Sequence, residues 1–231
     1  MEVKFDESTH TYRNSKTKEI YTSATQLISK FKKPFNSHEH AERVAKREGV
    51  TKEFVLEMWE IEKEKSIVRG KNYHSLLENY VRFGETAEDY TWLYKTFEKQ
   101  REILVGKCKT VHAEKLLWNH EYKLAGTCDL LYEHDESFTV LDYKTNKAIT
   151  AFSKYNEYLL PPVDFLSYCE YNVYALQLSI YAYMNEILTG KKVRNLHILY
   201  LTGDKFISFN VPYMKFEVQE MLKYNKEKND K

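Results

Sequence analysis

The residues best equipped for chemistry lie between Asp129 and Lys144. Thr139-Val140-Leu141-Asp142-Tyr143-Lys144 reads as a strand. Side chains alternate along a strand, so Asp142 and Lys144 share a face, about 6–7 Å apart along the chain. An acid and an amine at the end of an apolar strand form either a surface ion pair or part of a reactive centre. Thirteen residues before Asp142 stands Asp129, in Gly126-Thr127-Cys128-Asp129. If the two segments pair as neighbouring strands, Asp129 lies beside Asp142. Two carboxylates forced together repel and shift each other's pKa unless a cation sits between them. Oxygen ligation of that type suits Mg²⁺ or Mn²⁺.

Three further positions bear on the same chemistry. Gln177 and Tyr181 are one helical turn apart inside an aliphatic segment. Their amide and hydroxyl could bind a phosphate or a water, or be polar groups tolerated on an amphipathic helix. His74 follows Gly70 by one turn and shares a face with Ile67, Leu77 and Val81. It reads as a core histidine or as a softer ligand that would shift metal preference toward Mn²⁺. Glu114, early in a strand, reads as a catalytic acid or as a solvated edge residue.

Composition sets the boundaries. The chain has 231 residues, 42% hydrophobic and 30% charged, enough apolar material for a core and too much for a disordered chain. Lys+Arg 35 against Asp+Glu 34 gives no overall basic field, so a nucleic acid must be held by a local groove. The longest stretch without a charge, Tyr171 to Asn185, has 15 residues, too short to span a bilayer. The first residues, Met1 to Asp6, carry no apolar signal-peptide core. A soluble, cytoplasmic protein without membrane association is expected. The three cysteines, Cys108, Cys128 and Cys169, read as buried free thiols and are too few to ligate an iron–sulfur cluster.

The elements that must position these groups follow from periodicity and turn chemistry. Val3–Phe5, His10–Tyr12 and Glu19–Tyr21 read as short strands, the last two joined as a hairpin through Asn14-Ser15-Lys16. Thr22-Ser23-Ala24-Thr25 offers N-caps for a short helix to Phe31. Helices are predicted at 38–48, 52–64, 66–83 and 86–104, with Thr86 opening a capping box on the last. Thr110–Asn119, Tyr122–Tyr132 and Phe138–Tyr143 read as a three-stranded antiparallel meander. A helix over 172–188, strands over 195–201 and 206–211, and a polar helix from Tyr213 complete the chain. The expected architecture is one α+β domain: an N-terminal hairpin with helices (1–65), a core (66–211), and a C-terminal helix and tail (212–231).

In this order the residues resemble the PD-(D/E)XK nuclease superfamily, and within it the RecB-like and phage-type exonucleases. That group's pattern runs G-x-x-x-H-x-x-x-E, Glu, G-x-x-D, (D/E)-x-K and Q-x-x-x-Y. Here it reads Gly70…His74…Glu78, Glu114, Gly126…Asp129, Asp142-Tyr143-Lys144 and Gln177…Tyr181. The N-terminal His10-Thr11-Tyr12 and Tyr21-Thr22-Ser23-Ala24-Thr25 are similar to the opening of phage and mitochondrial-maintenance exonucleases. The resemblance implies a restriction-endonuclease-like αβββαβ core with a central mixed sheet flanked by helices. It implies that Asp129, Asp142, the Tyr143 carbonyl and His74 hold a divalent ion. It gives Lys144 the role of orienting or deprotonating the attacking water, with Gln177 and Tyr181 steadying the water or the DNA backbone.

The implied activity is a Mg²⁺- or Mn²⁺-dependent DNA exonuclease without an iron–sulfur cluster. The implied setting is phage-type recombination, repair or replication, with DNA and a recombination or replication protein as partners. A structure-selective endonuclease on the same fold, or a non-catalytic protein that binds DNA or a partner, are the alternatives. One segment departs from the family's pattern. Lys147 to Tyr171 is longer than the resemblance leads one to expect and is rich in aromatics (Tyr155, Tyr158, Phe165, Tyr168). With Lys147 and Lys154 it reads as a contact for unpaired bases or as a packed insertion. The lysines and arginine at 30, 32, 33, 191, 192 and 194 read as a solvated face or as phosphate contacts.

Overall fold

A computed structural model describes residues 2–153 and 155–229; Lys154 lies outside the described residues. The chain opens with three short strands, β1 (Val3–Asp6), β2 (Thr11–Asn14) and β3 (Ile20–Ser23). Ser23 ends β3 and starts α1 (Ala24–Ser29) with a reciprocal capping box. Its Oγ accepts from the Gln26 N–H at 3.1 Å, and the Gln26 side chain accepts from the Ser23 N–H at 2.9 Å. Helix α2 (Ser37–Glu48) is capped by Asn36 and closed by Gly49 in the left-handed region.

The predicted break near residue 65 does not exist. Residues Lys52–Phe83 form one helix of 32 residues, α3, capped by the Thr51 side chain at one end and by Gly84 at the other. No glycine or proline interrupts 57–66, and the ion pairs Lys63–Glu60 and Lys65–Glu62 sit at i,i+3 spacing along it. The predicted helix at 86–104 starts later. Glu88–Tyr90 form a 3₁₀ turn without a side-chain cap, and α4 runs Thr91–Val105.

The meander is present as β4 (Thr110–Asn119), β5 (Leu124–Glu133) and β6 (Ser137–Lys144), antiparallel throughout. Helix α5 (Glu170–Thr189) crosses over to β7 (Lys192–Thr202), which pairs parallel to β6, and β8 (Lys205–Val211) pairs antiparallel to β7. Helix α6 (Lys215–Asn229) ends the described chain.

The sheet has helices on both faces. Helices α1, α5 and α6 cover one face, with Leu27, Leu176, Ile180 and Met221 among the buried side chains. Helices α3 and α4 cover the other with Leu77, Leu93 and Phe97. This is the mixed αβββαβ core expected from the sequence. Among the described residues no helix is long and apolar enough to cross a membrane.

One irregularity of the sheet positions everything that follows. Strand β5 pairs with β4 from Leu124 to Glu133, with the ladder skipping Glu114 and Asp129. On its other edge it has two partners in turn: β3, parallel, at Leu124–Ala125, and β6 from Leu130 to Glu133. Between them, among the described residues, no strand pairs with Gly126–Asp129 on that edge. Strand β6 likewise runs past β5, and its last three residues, Asp142, Tyr143 and Lys144, pair only with β7. The two strands therefore fork, with Asp129 on one prong and Asp142 and Lys144 on the other.

Candidate active site

At the fork a side chain takes the place of a ladder bond. The Tyr143 N–H, which has no β5 carbonyl to meet, donates to Asp129 Oδ2 at 2.7 Å. A buried N–H must be satisfied, so this bond fixes the Asp129 carboxylate in orientation. Its other oxygen, Oδ1, lies 3.4 Å from His74 Nδ1 on α3. Burial disfavours the charged imidazole, but the Asp129 carboxylate and then Asp142 outweigh it, raising His74 to about 9. Burial would likewise raise Asp129, yet His74, Lys144 and the Tyr143 N–H together hold it below the usual carboxylate range.

Asp142 is nearly fully buried and contacts the Lys144 ammonium directly, as the alternation along β6 predicts. It is thus a buried pair and not a surface one. Desolvation pushes the Asp142 carboxyl up to about 6 despite the lysine beside it. The two aspartates are driven in opposite directions by their surroundings. Lys144 Nζ also lies 4.7 Å from the centre of the Tyr174 ring. Tyr174 carries no mark in the sequence pattern, although 174, 177 and 181 repeat at i, i+3 and i+7 on one face of α5.

Glu114 joins the cluster, which the edge reading did not foresee. Register places it opposite Asp129, between the pairs Ala113–Leu130 and Lys115–Cys128. Its φ of 49° puts a glutamate in the left-handed region within a strand, a strained conformation of the sort that collects at functional sites. Burial, then the charges of Asp129 and Glu78, raise its carboxyl to about 7. His74, Glu114 and Asp129 each offer one ligand atom, and these atoms all lie within 4.8 Å of one another. One imidazole and two carboxylates, crowded and mutually repelling, fit a divalent cation.

Glu78, one turn beyond His74, is held by Arg82 at 2.9 Å, and Arg82 in turn donates to the Ala113 carbonyl at 3.0 Å. That arginine ties α3 to the strand beside Glu114 and had no mark in the sequence pattern.

Gln177 and Tyr181 do meet: the Gln177 amide donates to the Tyr181 hydroxyl at 3.0 Å. The Tyr181 ring packs on the open prong of β5. A Cβ on Gly126 would lie 2.7 Å from Tyr181 Cε1, so only glycine fits there. Gly70 carries no such demand. A Cβ there would meet only Thr145 Oγ1, at 3.4 Å. Of the two glycines in the pattern, sterics require one.

Cys128 and Cys169 are buried, Cys108 is half-buried, and all three are free thiols. Lys191 pairs with Glu133 at 2.9 Å, and Lys30 donates to Asn225 at 2.7 Å, so neither is a bare cation. The middle of the 147–171 segment is packed: Leu159 and Val163 are buried, and the Leu160 N–H donates to the Phe31 carbonyl at 2.7 Å. Its N-terminal part differs, with Phe152 and Tyr155 exposed, and Tyr158 and Phe165 also show their rings to solvent.

A family model described as the PD-(D/E)XK nuclease superfamily matches residues 26–227. The chain belongs to that superfamily. The match takes in both prongs of the fork and both helix layers. No curated protein matches the chain. Among solved structures it is similar to SSO0001 at 14% identity and TM-score 0.41, covering 94% of this chain and 80% of that one. It is similar in the same degree to a protein of Eubacterium rectale to which exonuclease activity is ascribed. That match has 12% identity and TM-score 0.41, covering 90% of this chain and 79% of the other. PD-(D/E)XK nucleases use divalent metals, and the His74–Glu114–Asp129 group is where this chain could hold one.

Proposed function

We propose that this protein is a Mg²⁺- or Mn²⁺-dependent DNA exonuclease. The observation that carries the reading is the fork, where two aspartates, a glutamate, an imidazole and a buried ammonium converge as β5 and β6 part. Phosphodiester hydrolysis needs charge stabilisation at phosphorus and a hydroxide-like nucleophile near neutral pH. A bound divalent ion supplies both. His74, Glu114 and Asp129 are the residues within reach of one another to hold it. Asp142 and the Tyr143 carbonyl complete the proposed ligand set; in an extended strand a residue's N–H and C=O lie on one edge, and the Tyr143 N–H already faces Asp129.

Lys144 is held by Asp142 and the Tyr174 ring, so its charge is fixed before substrate arrives. That is the condition under which an ammonium best stabilises growing phosphate charge and orients a water. Gln177 and Tyr181, hydrogen-bonded to each other on α5, are assigned to steadying the water or the DNA backbone. The choice of exonuclease over endonuclease, and of phage-type recombination, repair or replication as the setting, is supported by the order of the motifs from Gly70 to Tyr181.

The test is a time course on end-labelled linear DNA and on covalently closed circles with Mg²⁺, Mn²⁺ or EDTA. Linear DNA should shorten from its ends with either metal, and circles should stay intact. Cut circles would overturn the exonuclease reading. Absence of cleavage on every substrate would overturn the nuclease reading itself.

A further inference from the structure

The chain leaves β6 through Thr145–Ala148, and a groove of about 640 Å³ opens beside this segment. Its walls include Phe35 from the loop before α2, Tyr155 and Tyr168 from the 147–171 segment, and Tyr174 from α5. Phe35 and Tyr155 expose 65% and 76% of their surface, far more than a ring committed to a core. Two cations share the groove. Lys32 sits 5.9 Å from the centre of the Tyr168 ring, and Lys147 reaches out to Glu62 at 2.7 Å. Burial lowers the Lys32 pKa. Tyr174 is the wall nearest the fork, since its other contact is Lys144. Tyr174 thus stands between the groove and the Lys144 ammonium.

Resting on the nuclease reading, we infer that this groove takes an unpaired DNA strand by stacking its bases on Phe35, Tyr155 and Tyr168 as the backbone runs into the fork. In a duplex the base faces are covered by their neighbours, and exposed rings on a groove wall gain nothing from them. A single strand offers every base face, and such stacking tolerates any sequence. The charge balance agrees. Glu157 and Glu170 line the groove with the two lysines, so it lacks the one-sided positive field that would grip phosphates without regard to bases.

The test measures binding in EDTA by anisotropy of three labelled probes: a thymidine 15-mer, an abasic strand of the same length, and a blunt duplex. The thymidine strand should bind at least about tenfold tighter than the abasic one. Phe35→Ala with Tyr155→Ala should erase most of that difference, with unchanged circular dichroism showing that the fold persists. Both side chains are exposed, so the variant is built to fold. Equal affinity for thymidine and abasic strands, or a preference unaffected by the two substitutions, overturns the inference. Cleavage is read separately with Mn²⁺. Loss of cleavage with the base preference intact would sink only the nuclease reading. Cleavage without base preference would sink only the groove.

Discussion

Glu114 opposite Asp129 is a pair of carboxylates that repel until a cation separates them. Glu114→Gln removes one of the two charges and leaves the shape. Without metal the variant should melt a few degrees higher, since about 1 kcal/mol moves Tm by about 2–4 °C at this size. Its affinity for Mn²⁺ by calorimetry should fall about tenfold or more. A variant that is less stable and binds Mn²⁺ as before would remove Glu114 from the site. At Lys144 two effects compete. Lys144→Ala should cut hydrolysis at least about a hundredfold while leaving the circular dichroism spectrum unchanged. It also strands a buried acid, which costs about 3–5 kcal/mol when one partner of a buried pair is deleted. Removing Asp142 as well should restore part of that loss in a denaturant titration, and a double variant less stable than the single one contradicts the pairing. Gly126→Ala sets a methyl against the Tyr181 ring and should cost about 1–3 kcal/mol. Most of the site was readable residue by residue, because acids, amine and imidazole are rare in apolar surroundings. Glu114 was named from the motif order, but its left-handed backbone opposite Asp129 was not legible, because nothing in the glutamate's own chemistry announces it.

Among the elements, the strands announced themselves through alternation and turn residues, and each fell within a few positions of its expected range. Helix α3 did not. Its stretch from Glu57 to Lys65 is so densely charged that no apolar face can be followed, and the reading split it in two. Along α3 only Val55 and Leu77 are buried, so its first half stands away from the core and packs chiefly on α2. Amide exchange should accordingly be faster over 56–68 than over 74–81, where the helix packs on α4 and the sheet. The β1–β2 turn offers a pH test. Hydrogen bonds from Ser8, then Thr9, lower the exposed Asp6 carboxyl to about 2, from an ordinary value of 3.8. A depressed carboxyl stabilises the fold above its unfolded pKa, so the turn should be intact above about pH 4 and loosen as pH falls through about 2. An NMR titration of Asp6 should show this, and Ser8→Ala should move the midpoint upward.

For the whole molecule, a net charge of +1 leaves DNA binding to a few local contacts. Arg69, Lys32, Lys144 and Lys147 lie around the fork and its grooves. Four phosphate contacts to a single strand give a slope of log K against log salt of about −3. A much steeper slope in an anisotropy series would mean that a basic surface elsewhere does the holding. The overall layering was legible because helices and strands alternate in the order that builds a covered sheet. The joining of β3 to β5 was not legible, since it links residues a hundred positions apart through two register pairs. That small contact has a large consequence. Adjacent extended strands tend to zip together until something halts them, and here two obstacles sit side by side at the start of β5: β3 occupies Leu124–Ala125, and the Tyr181 ring wedges against Gly126. The opening strands thus serve as a doorstop: in the register of the β5–β6 pair, a β6 lengthened past Lys144 would meet β3 at Ala125, so the gap in which the acids meet keeps a fixed far wall.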